Sequence, residues 1–350
     1  MSKILKIFKK KLPILVAEIS ANHNGDINQA KKLIKCAKQN GADAVKLQTY
    51  SANTMTLKSK KKYFKITHGL WKNYNLWDLY EKAQTPFEWQ ETLFKYAKNI
   101  GITCFSTPYD ETAVDLLEKL NCPLYKIASF EMLDFPLIKK IAKTGKPIII
   151  STGMANLNEI EASYNHAKKS GAKEIILLYC VSSYPASKDD FNLNNIKILK
   201  KKFNCMVGFS DHSKDNTIAS AAVYAGAEII EKHIALENQR GGADIAFSLK
   251  GKKIKEFNKA IKSSYQLLGR SFFYRTVNEN KNKLFRRSIF SVESIKKNEI
   301  FTIKNIRRVR PGQGLSPMYY EKILGKKSPY NINAESPIPE SILKKLKLKI

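Results

Sequence analysis

From Pro13 to about Leu268 the chain repeats one pattern eight times: a short apolar run rich in β-branched residues, then a stretch with helical periodicity. The runs cover residues 14–20, 44–50, 102–109, 124–129, 147–153, 174–180, 206–212 and 228–234. Residues 28–40 and 157–170 show the apolar spacing of amphipathic helices that cover one face of a sheet. Such alternation predicts a parallel sheet with crossover helices, and eight units in succession predict a closed TIM (β/α)8 barrel over residues 1–268. A doubly wound sheet uses similar units, but eight consecutive ones with no spare strand favour closure.

One long aromatic insertion, residues 63–80, separates the second run from its helix. After the barrel, the polar segment 269–285 reads as a linker. Beyond it, β-like runs at 288–292, 300–301 and 306–309 are broken by Asn, Lys, Pro and Gly, predicting a small mostly-β domain over 286–350.

The net charge of +30 raises the question of nucleic acid. Only eight of the 61 basic residues are Arg, the side chain suited to bidentate reading of bases and phosphates. The lysines lie along the predicted helices as solvated faces, and no nucleic-acid motif is present. The expectation is no nucleic-acid partner, the charge serving at most to draw in anionic substrates. No apolar run approaches the ~20 residues that span a bilayer. Lysines interrupt the N-terminal residues 1–11, so no secretory leader is read there. The five cysteines form no CxxC pair, which points to free thiols and a cytoplasmic, membrane-free protein.

A TIM barrel works at the C-terminal ends of its strands, and here all eight runs end in polar residues. In order they offer Glu18 and Ser20; Lys46 and Gln48; Thr107; Lys126, Ser129 and Glu131; Ser151; Ser182 and Tyr184; Ser210 and His212; Glu231 and His233. Strand parity puts Lys46 and Gln48 on one face and Val45 and Leu47 on the other; Glu231 and His233 likewise oppose Lys232. A lysine and a glutamate inside a barrel are costly unless they meet opposite charge, metal or ligand. Lys46 and Lys126 with the hydroxyls of Thr107, Ser129, Ser151 and Ser210 suit a phosphate and a carboxylate. A Schiff-base aldolase would also use a lysine here. His212 and His233 end adjacent strands, so their imidazoles can meet at one ion. With Glu18, Glu131 and Asp244 at hand and no Cys nearby, the oxygen-rich set favours Mn²⁺ or Mg²⁺ over structural Zn²⁺. His68 and His166, away from strand ends, read as ordinary residues.

These residues sit in Ala17-Glu-Ile-Ser-Ala-Asn-His-Asn-Gly25, Gly41-Ala-Asp-Ala-Val-Lys-Leu-Gln-Thr49, Phe105-Ser-Thr-Pro108, Tyr125-Lys-Ile-Ala-Ser129, Ser151-Thr-Gly-Met154, Gly208-Phe-Ser-Asp-His-Ser213 and Glu231-Lys-His233. With Phe285-Arg-Arg-Ser288 and Arg310-Pro-Gly312 in the small domain, the chain resembles the sialic acid synthases over nearly its whole length. That family includes N-acetylneuraminate, legionaminate and pseudaminate synthases and carries a C-terminal SAF (antifreeze-like) domain. The resemblance implies condensation of phosphoenolpyruvate with the aldehyde of an amino sugar, with a divalent metal on His212 and His233 polarising the aldehyde.

It further implies that Lys46, Lys126, Thr107, Ser129, Ser151 and Ser210 hold phosphoenolpyruvate, and that Glu18 and Glu131 orient water or sugar hydroxyls. Glu131 is the better placed for proton transfer. Gln48, Tyr184 and Asp244 would contact the sugar, as would Ser182, which stands where the neuraminate branch has Asn. Arg310 would reach the sugar across a homodimer whose SAF domain closes the partner's barrel. His68-Gly-Leu-Trp71, Leu76-Trp77-Asp78-Leu-Tyr-Glu81 and Gly241-Gly-Ala-Asp-Ile-Ala-Phe-Ser248 resemble the pseudaminate branch, although that branch has Pro where Ala243 stands. Trp71 and Trp77 would then cover the methyl and acetyl groups of a 6-deoxy diacetamido sugar. An ice-binding role for the small domain is set aside, because a flat face of small residues is missing and Lys, Arg and Tyr occur throughout.

Overall fold

The computed structural model describes residues 3–8 and 13–348; residues 1–2 and 9–12 of the basic N-terminal stretch lie outside the described residues. The chain forms two compact units that divide between Gly269 and Arg270.

The first unit is the eight-stranded parallel barrel. Its strands are β1 (Ile14–Glu18), β2 (Ala44–Thr49), β3 (Thr103–Pro108), β4 (Tyr125–Ile127), β5 (Ile148–Ser151), β6 (Ile175–Cys180), β7 (Val207–Asp211) and β8 (Ile229–Ala235). They pair in sequence order, and β1 also pairs β8, so the sheet has no edge. Each strand is buried on both faces, inward residues filling the lumen and outward ones meeting the helices. The return helices start where the sequence supplies a cap. Asp26 accepts from the Asn28 N–H ahead of helix Ile27–Gln39, and Asn156 and Glu159 form a capping box at helix Leu157–Lys169.

The lumen is filled below the polar strand ends. At Gly208 a Cβ would lie 2.4 Å from the Ile229 carbonyl oxygen and 2.5 Å from Leu178 Cδ2, so only glycine fits where those strands converge. The opposite mouth is shut by the short helix Lys3–Phe8, whose buried Phe8 ring sits 6.4 Å from that of the inward-facing Phe105.

The excursion after β2 is longer than the aromatic segment alone. It includes helices Ala52–Met55 and Leu76–Ala83, tied down by Gln84 Oε1, which accepts from Ala52 N–H at 3.1 Å, and by Asn75 Nδ2, which donates to Ser59 O at 2.8 Å. After β8, a two-residue strand β9 (Leu249–Lys250) adds to its end before the final helix Lys253–Leu267.

The second unit packs Ile289, Phe301, Ile306, Leu315, Ile323, Ile338 and Ile342 into its own core. Regular pairing there is confined, among the described residues, to β10 (Ser288–Ser291) against β11 (Ile306–Val309); Ile300 makes only an isolated bridge. The stretch read as a polar linker falls at the start of the second unit. It carries a capped helix, Val277–Lys281, and exposes Phe272, Phe273, Tyr274 and Val277. Arg270 and Arg275 lie over those rings, an arrangement without apolar periodicity and so without a sequence signal. No helix among the described residues is long and apolar enough to cross a membrane.

Candidate active site

Strand register builds the floor of the site. Glu18 lies beside Lys46 across β1–β2 and beside His233 across β1–β8, and Ser210 lies beside Glu231 across β7–β8. Lys46 Nζ is 2.9 Å from Glu18 Oε2 and 3.3 Å from Glu231 Oε1, while Lys126 Nζ approaches the same Glu231 oxygen at 3.5 Å. Four strands thus each contribute one buried charge, and the four sum to zero. Burial alone would lower the Lys46 ammonium, but Glu18 and Glu231 outweigh it and lift it to about 12. Burial likewise pushes Glu231 up, and Lys126 and Lys46 more than reverse it, so Glu231 is held well below the usual carboxylate range. Burial dominates at Glu18, which is raised despite Lys46, and at Lys126, which is lowered despite Glu231. Lys126 is therefore the more loosely held of the two ammonium groups.

Above this floor the two imidazoles meet. The His212 and His233 ring centroids are 5.6 Å apart, and both rings border the cavity. His212 Nδ1 donates to the Val181 carbonyl at 3.1 Å, which fixes the tautomer and leaves Nε2 its lone pair. Burial, then His233, lower His212 to about 3, so it is neutral near pH 7 and free to ligate. His233 Nδ1 is buried without a hydrogen-bond partner, 3.5 Å from Asp244 Oδ2, which also accepts from the Ser20 hydroxyl. A buried orphan nitrogen beside a neutral imidazole fits a divalent cation. Of the carboxylates expected to complete an oxygen-rich set, Asp244 lies beside His233, but a full set does not gather there. Glu18 lies beneath Lys46, and among the described residues no group of three or more His, Cys, Asp or Glu side chains forms a ligand set. Substrate or water oxygens would have to fill the remaining positions.

The hydroxyls cluster on the other side. Ser151 Oγ is buried with no partner, and Ser129 Oγ accepts from the Gly153 N–H at 3.2 Å. A Cβ at Gly153 would fall 2.0 Å from Ser182 Oγ and 2.9 Å from Ser129 Oγ, so the glycine lets these groups close up. Ser210 donates to Glu231 at 3.0 Å. Thr107 Oγ1 accepts from Lys46 at 3.3 Å.

The cavity over these groups measures about 430 Å³. Lys46, Gln48, Lys126, Ser129, Glu131, Ser151, Tyr184, Ser210, His212, His233 and Asp244 all border it. Glu18, Thr107 and Ser182 do not; the first two sit behind Lys46, and Ser182 packs over Gly153. Arg310 is exposed in the second unit, directly after β11. Glu131 is raised to about 7, chiefly by burial with Lys126 opposing, and its Oε2 is unpartnered.

The β2 excursion supplies an apolar wall that includes Met55, Ile66, Trp71, Leu76 and Leu79. Trp71 Nε1 donates to the Ala243 carbonyl at 3.2 Å, and its ring lies 5.6 Å from Tyr184. Trp77, expected beside it, is instead covered by Lys58 and does not border the cavity. Glu231, offered at the strand ends but given no role, also lines the space, as do Tyr109 and Phe247, which were not singled out. Of these, only Glu231 had a sequence signal, through its parity with His233. His68 is exposed and His166 stacks on Phe135, away from the cavity.

Comparison with known proteins gives the same picture. The model of the NeuB family matches residues 33–272 and that of the SAF domain residues 286–344. A pseudaminic acid synthase of Helicobacter pylori is 42% identical over 93% of this chain and 96% of that protein. An N,N'-diacetyllegionaminic acid synthase of Campylobacter jejuni is 39% identical over 94% of this chain and 100% of its own. The crystal structure of an N-acetylneuraminic acid (sialic acid) synthetase from Leptospira borgpetersenii in complex with citrate superposes with a TM-score of 0.70 at 30% identity, covering 78% of this chain and 90% of that one. The chain is a member of the NeuB family, a barrel joined to an SAF domain.

Proposed function

We propose that this chain is a pseudaminic acid synthase. It condenses phosphoenolpyruvate with 2,4-diacetamido-2,4,6-trideoxy-altrose and water, giving pseudaminic acid and phosphate. One observation carries the reading: a single cavity sets two lysines and a cluster of hydroxyls beside two imidazoles, under an apolar wall. Anion-binding groups suit phosphoenolpyruvate, and the wall suits a sugar bearing methyl and acetyl groups. Likeness to the Helicobacter pylori synthase supports this choice of sugar.

Lys126, Ser129, Ser151 and Ser210 hold the phosphate and carboxylate, and Lys46 sets the field at the floor. His212 and His233 would hold Mn²⁺ or Mg²⁺, which polarises the aldehyde as a Lewis acid. C3 of phosphoenolpyruvate bonds to the aldehyde carbon, the cationic C2 takes up water, and the C2–O bond to phosphate breaks. The water oxygen ends as the C2 ketone: one of its protons leaves with the departing phosphate, and the former aldehyde oxygen gains the other. Glu131, half ionised near neutrality, carries it. Gln48, Tyr184 and Asp244 orient the sugar. Exposed Phe272, Phe273 and Val277 near the start of the second unit support association of two chains. In that dimer the partner subunit's Arg310 reaches the sugar.

Phosphate release from phosphoenolpyruvate should depend on the diacetamido altrose, be far slower with N-acetylmannosamine or the legionaminate precursor, stop on chelation and return with Mn²⁺. Release that is unaffected by the sugar or by chelation would overturn the assignment.

Lys126→Met should raise the KM for phosphoenolpyruvate ten- to hundredfold, from a lost contact of about 1.5–3 kcal/mol. Lys46→Met should instead destabilise the fold by about 3–5 kcal/mol, because two buried carboxylates lose their shared cation. Steady-state kinetics and urea unfolding separate the two effects.

Glu131 must be ionised to accept the water's proton. Its acid form dominates below about 7, so kcat/KM should fall as the pH drops through that value. Glu131→Gln should abolish this limb and lower kcat about 10²–10⁴-fold. A pH profile keeping the limb in the variant would remove Glu131 from that role.

Mixing inactive His212→Ala and Arg310→Ala proteins under conditions of subunit exchange should restore roughly a quarter of full activity, since about half the dimers are mixed and each has one intact site. No recovery despite exchange would exclude the shared site.

A further inference from the structure

Matched triplets stand at the C-terminal end of β7 and within β8, Ser210-Asp211-His212 and Glu231-Lys232-His233. The outer members of each face the lumen, where Ser210 donates to Glu231 at 3.0 Å and the two imidazoles border the cavity. The middle members, Asp211 and Lys232, are register partners and face the helix layer. Lys232 Nζ lies 2.9 Å from Asp211 Oδ2 and 5.9 Å from the Phe257 ring centroid. Both side chains are essentially inaccessible, at 0% and 1% exposure, and neither borders the cavity.

The pair does more than neutralise itself. Asp211 Oδ1 accepts the Ser213 N–H at 2.8 Å, and Lys232 Nζ donates to the Ser213 carbonyl at 2.5 Å. The residue directly after His212 is therefore held at both of its backbone groups, one tie coming from β7 and the other from β8. A buried ion pair is a poor device for stability alone, because an apolar pair of similar volume is commonly as stable or more so. An apolar pair, however, cannot hold the Ser213 peptide groups in a fixed direction.

We propose that Asp211 and Lys232 are positioning residues, a clamp that sets His212 against His233. This rests on reading the two imidazoles as ligands of a divalent cation. The test is the double variant Asp211→Asn with Lys232→Met, which keeps an acceptor for the Ser213 N–H and the volume of the lysine stem but removes the tie from β8. After chelator treatment, Mn²⁺ binding is followed by electron paramagnetic resonance and melting by calorimetry. Mn²⁺ affinity should fall about 10–100-fold, the usual effect of losing an outer support of a metal ligand. The melting temperature should stay within about 3 °C of the parent. Unchanged Mn²⁺ affinity would overturn the clamp. If the double variant does not fold, Asp211→Asn alone decides, with a smaller loss of affinity expected and none overturning the proposal. If the parent protein itself takes up no Mn²⁺, the metal reading fails. The clamp is then judged by a crystal structure of the variant, where a displaced His212 ring supports it and a ring separation kept at 5.6 Å sinks it.

Discussion

The ammonium of Lys46 lies between two carboxylates, Glu18 and Glu231, and all three side chains are buried. Removing each of these charges from water costs several kcal/mol, and the cost is recovered only when opposite charges arrive in good geometry. Those charges come from β1, β2 and β8, so the arrangement exists only once β8 has closed onto β1. Closure of the sheet and charge balance at the floor are thus one condition. The imidazoles, the hydroxyls and the cavity above are all placed by strands that this condition holds in register.

The balanced floor has a consequence for anion binding. Lys126 has one carboxylate at 3.5 Å, and burial already disfavours its charged form. On the proposed reading, an arriving phosphate would give it a second partner, so binding would relieve a cost the free protein carries. Lys46, shared by two carboxylates, gains much less. The surplus of basic residues on the surface adds long-range attraction, screened beyond about 8–10 Å in salt.

Much of this was legible in the residues. Eight β-branched runs predicted the barrel because parallel strands buried on both faces must be apolar, and polar ends on such strands have few uses apart from a site. Parity placed Lys46, Glu231 and His233 inward. Depth was not legible: Glu18 and Thr107 share the inward face but end below Lys46, since parity fixes the side of a residue and not what lies above it. Ser182 is deflected by its contact over Gly153, a tertiary effect with no local signature. The β2 excursion was read as aromatic, yet its choice of Trp71 rather than Trp77 for the wall follows from one hydrogen bond to Ala243, more than a hundred residues away in the chain. The rings and short helix in the segment after the barrel were not legible, because arginines stacked on exposed rings average to a polar composition.

The barrel is sealed at its N-terminal end by Phe8 against Phe105, and its lumen is filled up to Lys46. What remains is a blind well with a single mouth. Two ligands that share such a well cannot pass one another. On the proposed reading, a ligand held by Lys126 near the bottom would have to enter before one held at the rim, and whatever formed at the bottom would wait for the rim to clear. Traffic through the site would therefore be imposed by the stopper at the far end, Phe8, which does not border the cavity.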